Sequence, residues 1–135
     1  MNNRIGQVNR FLQIITKWAS SQIDIQVVAL VGSYARGTAN ESSDIDLVII
    51  TDKPRKYLEH TQWVTHFGKV ITQRIEYYGK VTSIRICYTS GLEVEYGITD
   101  NNWVSLPLDE GTRQVIQDGM MILFERNALL SLVGD

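Results

Sequence analysis

The chain has one cysteine, Cys87, and two prolines among its 135 residues. A single thiol cannot build an internal disulfide framework or a multi-cysteine zinc site. An excess of one charge is also missing. Thirteen Lys and Arg face fifteen Asp and Glu, a formal net charge of -2. Proteins that capture DNA or RNA through long-range electrostatics carry the opposite balance, which argues against nucleic acid as a partner. No apolar run approaches a membrane span, so no membrane partner is expected. The start, Met1-Asn2-Asn3-Arg4, leads into mixed polar and apolar residues rather than a signal peptide. The expected compartment is the cytoplasm. Low-complexity stretches, repeats and long linkers are absent, and residues 1–135 are read as a single domain. With 44% hydrophobic and 21% charged residues there is enough apolar material for one core, which excludes a disordered chain.

The apolar pattern predicts the elements. Ile5, Val8, Phe11, Leu12, Ile15, Trp18 and Ala19 recur at helical spacing, which predicts an amphipathic helix over about residues 3–20. Ile25 to Val31 and Ile45 to Ile50 are short, β-branched, nearly unbroken aliphatic runs, as strands covered on both faces require. Gly32-Ser33 ends the first run, and Tyr34-Ala35-Arg36 starts a short helix. Pro54 sits near the start of a further helix with Tyr57, Leu58, Thr61, Val64 and Phe67 on one face, ended by Gly68. Val70 to Tyr78, Val81 to Tyr88 and Leu92 to Ile98, separated by Gly79-Lys80 and Ser90-Gly91, predict an antiparallel meander. A helix over Thr112 to Gln117, a strand over Met120 to Phe124 and a terminal helix over Asn127 to Val133 complete the reading. The class is α/β (α+β), a mixed sheet with helices packed on it.

The chemistry concentrates between Gly32 and Asp46. A buried strand runs into Gly32-Ser33 and a helix start, where free N–H groups suit phosphate. Gly32 lets backbone approach a phosphate, and the Ser33 hydroxyl adds a hydrogen bond. Asp44 and Asp46 stand two apart at a strand start, so they face the same way while Ile45 and Leu47 face the core. Two carboxylates aimed at one spot repel unless they share a cation. Hard divalent ions with oxygen ligands fit, which points to Mg²⁺ bound together with substrate phosphates.

The run Gly32-Ser33-Tyr34-Ala35-Arg36-Gly37 followed by Ser43-Asp44-Ile45-Asp46-Leu47 resembles the signature of the DNA-polymerase-β-type nucleotidyltransferase superfamily, in its small stand-alone form. The sharp match covers residues 31–50. The resemblance implies a third carboxylate on a later strand. In Gly91-Leu92-Glu93-Val94-Glu95-Tyr96 the best match is Glu95, with Glu93 on the same face as the alternative; many relatives carry Asp there. It also implies two Mg²⁺ ions held by Asp44, Asp46 and Glu95 as catalytic and metal-binding residues, with ATP or another NTP as substrate. Gly32, Ser33 and Arg36 become nucleotide-binding residues. The implied reaction moves a nucleoside monophosphate, AMP from ATP, onto a hydroxyl of a small molecule or protein and releases pyrophosphate. The alternative is a non-catalytic nucleotide- or partner-binding module, such as an antitoxin-like protein paired with a helical HEPN-type toxin. Met120 to Val133 is apolar enough to meet such a helical partner or form a homodimer, and it suits ordinary core equally.

Bland readings apply elsewhere. Arg36 reaches a phosphate or braces its loop against Asp44 or Glu41. Ser43 is read as a turn residue. Arg85 is read as a solvated edge residue, with neutralisation of the acids as the alternative. Cys87 is read as a small buried side chain, His60 and His66 as surface or packing residues, and Trp103 as packing.

Overall fold

The computed structural model describes residues 4–104 and 110–126. Helix α1 (Arg4–Ser20) turns Val8, Phe11, Ile15 and Ala19 into the core. Then follow β1 (Ile25–Val31), the five-residue α2 (Gly32–Arg36), β2 (Ile45–Thr51), α3 (Pro54–Glu59) and a 3₁₀ segment (Thr61–Phe67). Strands β3 (Val70–Tyr78), β4 (Val81–Tyr88) and β5 (Glu93–Thr99) come next. A 3₁₀ turn (Asn101–Val104), α4 (Glu110–Asp118) and β6 (Met121–Glu125) close the described chain. The terminal helix expected over residues 127–133 lies outside the described residues.

The six strands form one sheet in the order β3-β4-β5-β2-β1-β6. β2 and β5 run parallel, and the other neighbouring pairs are antiparallel. This is the expected mixed sheet, with β3 to β5 as its meander. Strand alternation sorts the faces. Ile45, Leu47 and Ile49 join Ile84, Val94 and Tyr96 in the main core with α1 and the 3₁₀ segment. Val48 and Ile50 join Val27, Ala29 and Trp103 on the opposite face, where Val115 and Ile116 of α4 also pack. Asp46 shares that second face. Among the described residues no helix is long and apolar enough to cross a membrane.

The helix expected from Pro54 to Phe67 is broken at His60, whose backbone lies at φ -122 and ψ 85. In a continuous helix the Tyr57 carbonyl would accept from the N–H of Thr61. Here the Trp63 indole N–H donates to it instead, at 2.9 Å. That bond turns Trp63 inward, stacked 5.2 Å from Trp18 and edge-on 4.8 Å from Tyr96. Burial of the indole outweighs one more turn of regular helix.

Asp24, buried just before β1, ties α3 to the sheet. Lys56 donates to one oxygen of its carboxylate at 2.6 Å, and the Tyr57 hydroxyl donates to the other. Burial opposes its charge, but these two bonds outweigh burial and hold the carboxyl below its ordinary value of 3.8. A folded-state pKa below the unfolded one gives stability that is complete above the unfolded pKa. That stability is lost as pH falls through the folded value. Asp24→Asn is therefore expected to cost about 1–3 kcal/mol at neutral pH. The gap from wild type should shrink below about pH 4 in denaturant titrations. A gap independent of pH would contradict the charge assignment.

Candidate active site

Sheet register assembles the site. Asp44 directly precedes β2, and Asp46 is its second residue. The parallel pairing sets Asp46 opposite Glu95 on β5. The antiparallel pairing sets Arg85 opposite Glu95, and Cys87 opposite Glu93. Three adjacent strands thus bring Asp44, Asp46, Glu93, Glu95 and Arg85 to one patch of the second face. The carboxyls crowd in two pairs, Asp46 beside Glu95 and Asp44 beside Glu93. The two candidates for a third acid, Glu95 and Glu93, are both in the patch; Glu95 is the one level with Asp46.

Arg85 stands at the centre rather than on a solvated edge. It donates to Asp44 at 2.6 Å and to Glu76 at 2.9 Å, and its third nitrogen lies 3.5 Å from Glu95. Its side chain is 21% exposed. The reason is strand order: β3 takes the edge, so β4 and Arg85 lie one strand further in. Cys87 is half-buried beside the patch, and its thiol donates to Glu93 at 3.2 Å.

One guanidinium does not neutralise four acids. Burial first, then the neighbouring Glu95 and the charge of Asp44, push the Asp46 carboxyl up to about 7, against the lowering influence of Arg85. The neighbouring Asp44 carboxyl raises Glu93 as well.

Gly32 closes the other side. Val31 pairs with Asp46, so α2 starts beside that carboxylate. Gly32 has φ +73, and a Cβ there would overlap the Asp46 carboxylate oxygen. Glycine is needed for both the left-handed backbone and the space. Ser33 is half-buried in α2, and its carbonyl accepts from Gly37 and Thr38 to close the turn. Arg36 is exposed at the end of α2. Asp44, one of the acids it was expected to brace, is held by Arg85. Ser43 is the turn residue expected: its hydroxyl accepts from the Asn40 N–H at 2.9 Å.

The family model for the nucleotidyltransferase domain matches residues 11–88, which span both the Gly32-Ser33 turn and the Asp44–Asp46 pair. This chain belongs to the nucleotidyltransferase domain family. The match ends before β5, so Glu93 and Glu95 join the family motif through sheet register. No curated protein matches the sequence. The nucleotidyltransferase fold recurs among solved structures. An aminoglycoside 6-adenyltransferase from Bacillus subtilis superimposes with a TM-score of 0.58 at 15% identity, over 82% of this chain and 38% of that one. The polymerase core of TRAMP, an RNA surveillance complex, gives 0.55 at 17% identity, over 72% and 32%. The Cid1 poly(U) polymerase, with Mg and 3'-dATP bound, gives 0.52 at 14% identity, over 73% and 32%. This nucleotidyltransferase domain therefore spans about a third of the length of these structures.

Proposed function

We propose that the domain transfers a nucleoside monophosphate, AMP from ATP, onto a hydroxyl of a small molecule or protein and releases pyrophosphate. The observation that carries this is the gathering of Asp44, Asp46 and Glu95 beside the Gly32 turn. The side chains suit magnesium by chemistry: they are hard oxygen donors crowded beyond what Arg85 offsets. As they stand, no three carboxyl, imidazole or thiol groups among the described residues converge as a ready metal site. Arg85 draws Asp44 and Glu95 toward itself, so loading asks the guanidinium to give way. The Mg and 3'-dATP held by the poly(U) polymerase of the same fold support the reading.

Asp44, Asp46 and Glu95 would hold the metal, Asp46 being shared between the nucleotide side and the acceptor side. Bound there, magnesium would neutralise triphosphate charge and lower the pKa of the acceptor hydroxyl. The Gly32-Ser33 turn and the Ser33 hydroxyl bind the β- and γ-phosphates, and exposed Arg36 adds positive charge at their outer end. These groups work by positioning and by charge placed in advance.

One observation favours a second reading. Arg85 already occupies the acid cluster, as it would in a binding module that takes no metal, such as the partner of a helical HEPN-type toxin. Label transfer from ATP separates the two. With Mg²⁺, label in the α position should reach the acceptor and label in the γ position should leave as pyrophosphate. Transfer from the γ position alone would make the protein a kinase. Nucleotide binding without transfer to any acceptor would establish the module.

A further inference from the structure

A cavity of about 930 Å³ adjoins the acid patch. Along β2 it is lined by Asp46 and Val48, and along β5 by Glu95 and Gly97, so it extends from the carboxylates down both strands. Trp103, 3% exposed, forms part of its wall. Gly97 lets its neighbours close in on the floor: a Cβ there would come within 2.9 Å of Val81 and 3.1 Å of the Leu47 carbonyl. Ser83 also lines it, 3% exposed, and its hydroxyl makes no hydrogen bond to the described residues. A hydroxyl on the wall of a cavity can pair with a polar group of a bound molecule.

The position says which substrate this is. In an in-line displacement the attacking and leaving oxygens lie on opposite sides of phosphorus. Gly32 and Ser33, assigned above to the β- and γ-phosphates, do not line the cavity, whereas Asp46 and Glu95 do. The attacking hydroxyl therefore comes from the cavity side. The lining says which chemistry fits. Valines, a glycine and an indole suit an uncharged apolar body. A polycation would need acids along its length, and the two acids here sit at the reacting end. A polynucleotide would need several cations. The one cation among the described lining residues is Lys80, which donates to the Asn102 carbonyl at 2.9 Å. The volume suits a drug-sized molecule.

We propose that this cavity is the acceptor subsite, and that the acceptor is an uncharged, mostly apolar small molecule carrying a hydroxyl, with a second polar group meeting Ser83. The proposal rests on the nucleotidyl-transfer reading. The acceptor oxygen bonds to the α-phosphorus, the bond from that phosphorus to the α–β bridging oxygen breaks, pyrophosphate leaves, and the hydroxyl proton passes to solvent.

The probe is 4-methylumbelliferone, an aromatic phenol whose emission is lost when its oxygen is phosphorylated. Binding without nucleotide is followed by fluorescence in wild type, Val48→Phe, which fills the cavity, and Ser83→Ala, which keeps its shape. Affinity should fall about tenfold in Val48→Phe and about threefold in Ser83→Ala, a loss of about 0.7 kcal/mol in the latter. Affinity for a non-hydrolysable ATP analogue with Mg²⁺ should stay within about twofold of wild type. Equal probe affinity in all three proteins, with α-label still transferred to some other hydroxyl, would overturn the subsite alone. Parallel loss of nucleotide affinity in Val48→Phe would give the cavity to the nucleobase and overturn it too. Probe binding as expected, with no loss of emission and no α-label transfer, would overturn the transfer reading and the acceptor role together.

Discussion

Asp46→Asn is expected to lower nucleotidyl transfer by about a thousandfold while making the metal-free protein more stable at neutral and alkaline pH. The loss of activity follows from its place. Asp46 lies level with Glu95 and against Gly32, the one acid that touches both sides of the site. The gain in stability follows from its environment. Burial and the neighbouring Glu95 and Asp44 push its carboxyl up from 3.8 to about 7. Because the folded pKa is the higher one, the folded state holds this proton more tightly than the unfolded chain. The stability so contributed is present below the unfolded pKa and is lost as pH rises toward 7. Above that, wild type carries a crowded ionised acid. Asparagine carries none, and its amide can donate to Glu95. Melting in a chelator should place the variant above wild type at pH 8, with the gap closing toward pH 4. A variant less stable at pH 8, or one with near-wild-type turnover, would contradict the assignment.

Arg85→Met should have the opposite effect on the metal-free fold. The guanidinium serves Asp44, Glu76 and Glu95 together. Taking it away leaves those acids partly buried with no counter-charge from this position. For the half-buried Asp44 and Glu95 the loss of this partner costs about 1–3 kcal/mol. Millimolar Mg²⁺ should restore much of that loss, because the acids freed from Arg85 can then hold a cation. Thermal melts with and without Mg²⁺ read this directly: a large metal-dependent rise in the variant and a small one in wild type. Equal stability in chelator would reduce Arg85 to a surface residue. A variant destabilised but indifferent to Mg²⁺ would mean that the acids do not take the metal.

These two variants mark what the sequence could and could not disclose. Gly32, Asp44 and Asp46 were legible because their meaning is local. A glycine after a buried run, and two acids two apart before another, need only strand alternation and a turn to converge. The faces of α1, β1 and β2 were legible for the same reason. Arg85 was not, because the meander places β4 between β3 and β5 but does not say that β2 lies beside β5, which is what brings Asp44 within reach of Arg85. Glu93 and Glu95 share a face in the sequence, and the β2–β5 register is what sets Glu95 level with Asp46. The break at His60 was hidden because it is made by Trp63, whose partners Trp18 and Tyr96 come from distant elements. The cavity was hidden likewise: Ser83, Gly97 and Trp103 meet through sheet order.

If these carboxylates receive a metal-bound nucleotide, the metal must be found among them. A crystal grown with Mn²⁺ and a non-hydrolysable ATP analogue tests it by anomalous scattering. Mn²⁺ should be coordinated by Asp44, Asp46 and Glu95, with the triphosphate against Gly32-Ser33 and Arg85 drawn away from Asp44. Arg85 still bonded to Asp44, with no anomalous peak at the acids and the nucleotide absent or bound elsewhere, would contradict it.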